Sequence, residues 1–153
     1  MKSVTFCFVF GLAVSTCLSH AADTGTLSVT ANVSGTCKFL GNPDAAFGAL
    51  DPASGANATA NASVQFWCSK NATYTLAAGN GANYDATTSK RRLKGPGATD
   101  YIPYSLSPIS ATGTGKGKAT PITVTIGGSI QGADYVDASA GSYSDVVQLS
   151  INP

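Results

Sequence analysis

The sequence predicts an all-β fold, and three observations carry that expectation. Apolar and polar residues alternate with a period of two through most of the chain. Clusters of Gly, Pro, Asn and Asp punctuate it at short intervals, as turns between strands do. No window sustains a 3.6-residue repeat, and 17 glycines in 153 residues argue against helices.

The first stripe places Leu27, Val29, Ala31, Val33, Gly35, Cys37 and Phe39 on one face, with Thr26, Ser28, Thr30, Asn32, Ser34, Thr36 and Lys38 on the other. About thirteen residues is long for one strand, and Gly35 marks where it would bend into two. A second alternation sets Ala60, Ala62, Val64, Phe66 and Cys68 inward and Thr59, Asn61, Ser63, Gln65 and Trp67 outward. Shorter strands are predicted at Tyr74-Leu76-Ala78, Ile102-Tyr104-Leu106 and Ile122-Val124-Ile126, and from Tyr143 to Val147-Leu149-Ile151. Between them stand the turn signals Gly41-Asn42-Pro43, Asp51-Pro52, Gly79-Asn80-Gly81, Gly95-Pro96-Gly97, Ser107-Pro108 and Gly127-Gly128, spaced as in a sandwich. Residues 53–62 and 112–120 read as surface loops.

Composition narrows the function classes. Residues 1–21 read as a signal peptide: Lys2, an uncharged apolar run from Val4 to Leu18, then Ser19-His20-Ala21 as a small-x-small cleavage site. Without Lys2, eight cations face eight Asp carboxylates, so the exported chain has no net charge to recruit nucleic acid. The one His belongs to the signal and Glu is absent altogether. A His-based triad, a His-ligated zinc and a Glu base are thereby excluded, and no catalytic, cofactor-binding or metal-ligating set is expected. From Thr24 onward there are seven Leu, six Ile, seven Val and three Phe, a thin core that needs reinforcement. Cys37 and Cys68 remain as an even pair in an oxidising compartment and are expected to form one disulfide, across the core or between neighbouring strands.

Three other features read as structural. Lys90-Arg91-Arg92-Leu93-Lys94 has no aromatic residues interleaved and suits a solvated loop or strand edge. Tyr74, Tyr104 and Tyr143 fall at inward strand positions, which favours packing over a glycan platform. Asp134 and Asp137 lack a calcium-loop pattern. More informative is the arm, residues 22–35. Its stripe Leu27, Val29, Ala31 and Val33 directly follows the cleavage site and precedes the Gly35 hinge. It reads as a donor strand that completes a neighbour's sandwich, alternate side chains filling alternate pockets.

The alternating arm up to Cys37 is followed by Phe47-Gly48 with Leu50-Asp51-Pro52, and by Cys68 closing a strand. Then come Tyr74 to Gly81, Arg92-Leu93, Tyr101 to Leu106, and Gly141-Ser142-Tyr143-Ser144-Asp145-Val146-Val147. On these pieces rests a resemblance, from about Gly25 to Asn152, to the spore coat protein U-like domain, the pilin domain of archaic chaperone-usher pili. It implies an incomplete immunoglobulin-like β-sandwich over 36–153, completed by a donor strand from a neighbouring subunit. It also implies the partners: other copies or related pilin subunits, a periplasmic chaperone and an outer-membrane usher, with neither nucleic acid nor direct membrane insertion. The acceptor groove and chaperone-docking strand would be Val147, Leu149 and Ile151. One departure is the ending Ile151-Asn152-Pro153, where the family has an aromatic residue; Pro153 cannot donate to a ladder, so the last strand is expected to stop early.

The expected function is therefore a structural subunit of a surface fimbria that supports adhesion or biofilm growth, exported through the periplasm and not an enzyme. Two alternatives differ in class: a monomeric secreted β-sandwich binding a glycan through tyrosine-bearing loops, with its arm paired in cis, and a structural protein of a spore coat.

Overall fold

The computed structural model describes residues 22–153, so the expected signal peptide lies outside the described residues. The chain divides after Asn32 into two units. In the first, described residues 22–32 are exposed throughout and enter no strand. The second, Val33–Pro153, contains every strand among the described residues.

Eight strands follow in order: β1 (Cys37–Phe39), β2 (Ala58–Cys68), β3 (Thr73–Ala78), β4 (Arg91–Lys94), β5 (Tyr101–Ser107), β6 (Ser110–Thr114), β7 (Ile122–Ile130) and β8 (Leu149–Asn152). One sheet has the order β1-β2-β7-β5-β4 and the other β6-β3-β8, with all pairings antiparallel. The all-β expectation holds, with a single 3-10 turn at Gly132–Asp134 among the described residues.

The long β2–β7 pairing is the spine, and its register follows from the alternation in both strands. Ala62 lies opposite Ile126, Val64 opposite Val124 and Phe66 opposite Ile122. A slip of one residue would turn the whole apolar row of β2 to solvent. One core lies between the sheets: Val64, Phe66, Cys68, Tyr74, Leu76 and Ile126. Phe66 meets Tyr74 edge-on at 4.9 Å and Phe39 at 6.4 Å. Burial of a side chain such as Phe66 contributes roughly 1.5–3 kcal/mol. A second core, Ile102, Tyr104, Ile130 and Tyr135, is packed by Phe47, Leu50, Tyr143 and Val147, which come from irregular segments.

Several boundaries differ from the sequence reading. The long first strand shrinks to Cys37–Phe39, because residues 22–36 have no ladder partner and alternation alone does not make a strand. Part of the expected 112–120 loop is β6, since Gly113 leaves room for Tyr74; a Cβ there would stand 2.6 Å from the Tyr74 hydroxyl. The expected loop at 53–62 gives way to β2 from Ala58 onward. Of the expected last strand only Leu149–Asn152 is ladder, and it extends to the residue before Pro153. Tyr143–Gln148 is held by separate bonds instead, among them Ser144 N to Lys94 O at 3.0 Å. The basic cluster is the edge strand β4. Arg91 donates from Nε and Nη2 to Gly79 O at 3.1 and 2.7 Å. Arg92 pairs with Asp85 at 3.3 Å and lies 4.1 Å over the Tyr101 ring.

Candidate functional site

Two strands carry an edge with no partner among the described residues. β1 ends the five-stranded sheet beyond β2, and β8 ends the three-stranded sheet beyond β3. They come together near Pro153, whose Cβ would lie 3.4 Å from a Cβ on Gly35, and farther along Phe39 and Leu149 line a cavity. A cleft opens between them.

The β8 side of the cleft follows from strand geometry. Gly79 N donates to Gln148 O at 2.8 Å and Ala82 N to Val146 O at 3.0 Å. Successive residues of a strand direct their main-chain groups to opposite edges, so those of Val147, Leu149 and Ile151 face the open edge. Their side chains are half-buried, whereas Val146 is 74% exposed. The residues expected to form the acceptor edge thus share one face of the last segment. Val147 and Leu149 line the cleft, while Ile151 packs on the first core.

The opposite side is a segment the sequence reading treated as a turn. Pro43, Ala45 and Phe47 are half-buried and Asp44, Ala46 and Gly48 exposed, a period of two. Yet residues 41–50 belong to no strand and make no backbone-to-backbone hydrogen bond with another of the described residues. Here is a strand-like run with no ladder among the described residues. Phe47 fits because Gly128 beneath it has no side chain; a Cβ there would sit 2.8 Å from Cζ of Phe47.

The cleft has two lobes. One, of about 540 Å³, runs from Phe39 and Leu149 over Val64, Ile126 and Leu106. The other, of about 720 Å³, continues to Pro52, Tyr135 and Tyr143. Both touch Asp44, Ala45, Phe47, Leu93 and Asp145, so they form one groove along the inner face of the five-stranded sheet.

Asp145 fixes the middle of this groove. Its Oδ2 accepts from the Tyr104 hydroxyl at 2.6 Å, and its Oδ1 accepts from Asn83 N and Nδ2, both at 3.0 Å. Burial first, and then the bond to the carboxylate, push the Tyr104 hydroxyl well above the ordinary tyrosine range. It therefore stays a donor at every physiological pH. The hub joins β5 to the segment leading into β8. Sequence reasoning named Phe47 and Asp145 only as parts of a resemblance, and a half-exposed Asp has no periodic signal to reveal it.

The remaining expected residues divide into two groups. Cys37 and Cys68 are bonded to each other and stand directly opposite in the β1–β2 register. The bridge thus joins neighbouring strands. Leu27, Val29 and Val33 are 88%, 84% and 87% exposed, and Ala31 is exposed as well.

The Spore Coat Protein U domain family matches residues 23–150. The chain belongs to that family. Among solved structures it is similar to a chain of the CsuC-CsuE chaperone-tip adhesion subunit pre-assembly complex from archaic chaperone-usher Csu pili of Acinetobacter baumannii. The TM-score is 0.50 and the identity 19%, over 78% of this chain and 40% of that one. This chain thus spans two fifths of the length of the solved chain it matches, and the likeness is one of fold. No curated protein matches it.

Proposed function

We propose that this family member is a structural subunit of a surface fimbria, built by the chaperone-usher route through donor-strand exchange. The observation that carries the reading is a pair of complementary halves in one chain. One is a groove whose facing edges have no ladder partner among the described residues; the other is an exposed arm whose apolar residues alternate. Leu27 to Val33 would span about 20 Å as a strand at about 3.3 Å per residue, a length that suits a groove beside the 11-residue β2. Leu27, Val29, Ala31 and Val33 are the knobs. Val147, Leu149 and Ile151 on one side and Pro43, Ala45 and Phe47 on the other supply the acceptor edges, giving main-chain affinity and side-chain selectivity without covalent chemistry.

In this reading residues 22–35 are the arm and 36–153 the pilin domain. A periplasmic chaperone occupies the groove first, an outer-membrane usher exchanges it for the arm of the next copy or a related subunit, and the fibre reaches the cell surface. There it supports adhesion or biofilm growth, with no enzymatic step. The test is migration in SDS without heating, for exported protein with and without residues Asp23 to Val33. A ladder that collapses on boiling and vanishes with the arm is expected. An intact chain that runs as a folded monomer, stabilised by its own arm, would overturn the reading in favour of a secreted binding domain.

A further inference from the structure

We propose that the two ends of the domain form an ionic contact between successive copies of this chain, the lysines of one copy seated on the aspartates of the next. The inference rests on the strand-donating reading above and concerns a surface outside the groove.

At the end where Val33 leads into β1, Lys38, Lys70, Lys116 and Lys118 are all exposed. They are gathered by the fold: Gly115 N donates to Ala72 O at 2.7 Å and Gly117 N to Cys68 O at 3.0 Å, laying the 115–118 loop on the 68–72 turn. No acidic side chain occurs in 36–39, 69–73 or 115–120. At the other end of β2 stand Asp51, Asp134 and Asp137, with Asp51 and Asp137 exposed and Asp134 half-buried. Gly132 N bonds Asn57 Oδ1 at 2.9 Å and the Tyr135 hydroxyl donates to Ala56 O, which holds the two acidic segments together. No Lys or Arg occurs in 51–58 or 130–142.

The 11 residues of β2 separate these ends by roughly 35 Å. That is about four screening lengths at physiological salt, so the two ends do not neutralise each other within one molecule. A second copy can do so. The groove runs between the same two ends, from Phe39 and Leu149 beside the lysines to Pro52 and Tyr135 beside the aspartates. A donor whose Val33 leaves the groove at the aspartate end brings its own lysine end onto those aspartates. Departure at the lysine end would set lysines on lysines. The charge pattern therefore favours one direction of growth, head to tail, and such a heterologous contact repeats into a fibre. Charges of this kind act chiefly on encounter and orientation.

The test follows SDS-resistant multimers forming from purified full-length monomer in 20 mM and 500 mM NaCl. High salt should slow the parent about tenfold. Lys116→Glu with Lys118→Glu, and separately Asp134→Lys with Asp137→Lys, should each be about tenfold slower at low salt, and all four changes together should restore the parental rate. Should a reversal lower the melting temperature, the neutral pairs Lys116→Gln with Lys118→Gln and Asp134→Asn with Asp137→Asn take its place, with a smaller slowing of about threefold expected. Variants that assemble within twofold of the parent, or a fourfold variant as slow as the pairs, overturn the contact. Assembly that needs the arm but ignores salt overturns the ionic contact alone; assembly that does not need the arm overturns strand donation.

Discussion

The same five-stranded sheet is roofed in two different ways, and the contrast explains the molecule. Over β1, β2 and the start of β7 lies a hydrogen-bonded sheet, β6-β3-β8, with Phe66, Tyr74 and Leu76 buried between the layers. Over β5 and the end of β7 lie the irregular segments 41–50 and 135–147, which touch the second core through single side chains. One half is a finished sandwich. The other is covered without a ladder, and the groove runs between the sheet and that irregular cover. Partial closure leaves Val147 and Leu149 half-buried along the groove.

That contrast is open to attack by mutation. Phe66→Ala, in the finished half, should cost about 3–5 kcal/mol in chemical denaturation, whereas Phe47→Ala, half-exposed over Gly128, should cost less than about 2 kcal/mol. Equal losses would mean that the groove half is as tightly built as the other. Replacing both cysteines by serine removes the cross-link that closes 31 residues in the finished half, for an expected loss of about 3–4 kcal/mol. Arm deletion, Asp23 to Val33, should leave the monomer's midpoint within about 0.5 kcal/mol, since those side chains are exposed.

A substitution at the groove's middle sharpens the role of Asp145. Tyr104→Phe should lose about 1 kcal/mol at neutral pH. The raised pKa of Tyr104 also has a signature at high pH. Its contribution is complete below about pH 10, where the unfolded chain begins to ionise, and declines above that as the unfolded state releases a proton the folded state keeps. The phenylalanine variant should lose that part of the alkaline decline. If parent and variant fall in parallel between pH 9 and 11 in thermal melts, on the order of one unit either side of the tyrosine value, Tyr104 is not held as described.

Legibility in the sequence follows the same division. In the finished half the residues speak through periodicity: Ala60 to Cys68 alternate as read, and the ladder confirms their facing. The strands β2 and β7 and the inward Tyr74 were foreseeable for that reason. In the groove half β5 was foreseeable in the same way, through Ile102, Tyr104 and Leu106, but its irregular cover was not. Residues 41–50 look like a turn because Gly41-Asn42-Pro43 begins them, and their alternation of burial depends on contacts distant in sequence, such as Phe47 on Gly128. In the arm a regular stripe forms no strand, because pairing needs a partner that this chain does not offer it among the described residues. β6 was hidden too, since small polar residues carry no apolar signature and pair only because Tyr74 needs the space above Gly113.

The position of the disulfide has a mechanical consequence. If copies are joined through their arms, tension on the fibre enters each domain at Val33 and reaches β1 within a few residues. That strand is three residues long and paired to β2 at three positions, a seam that would unzip from its pulled end. Cys37, its first residue, is tied covalently to Cys68 at the last residue of the longest strand. Load therefore bypasses the weak seam and passes directly into β2, along the axis of the strongest element in the domain.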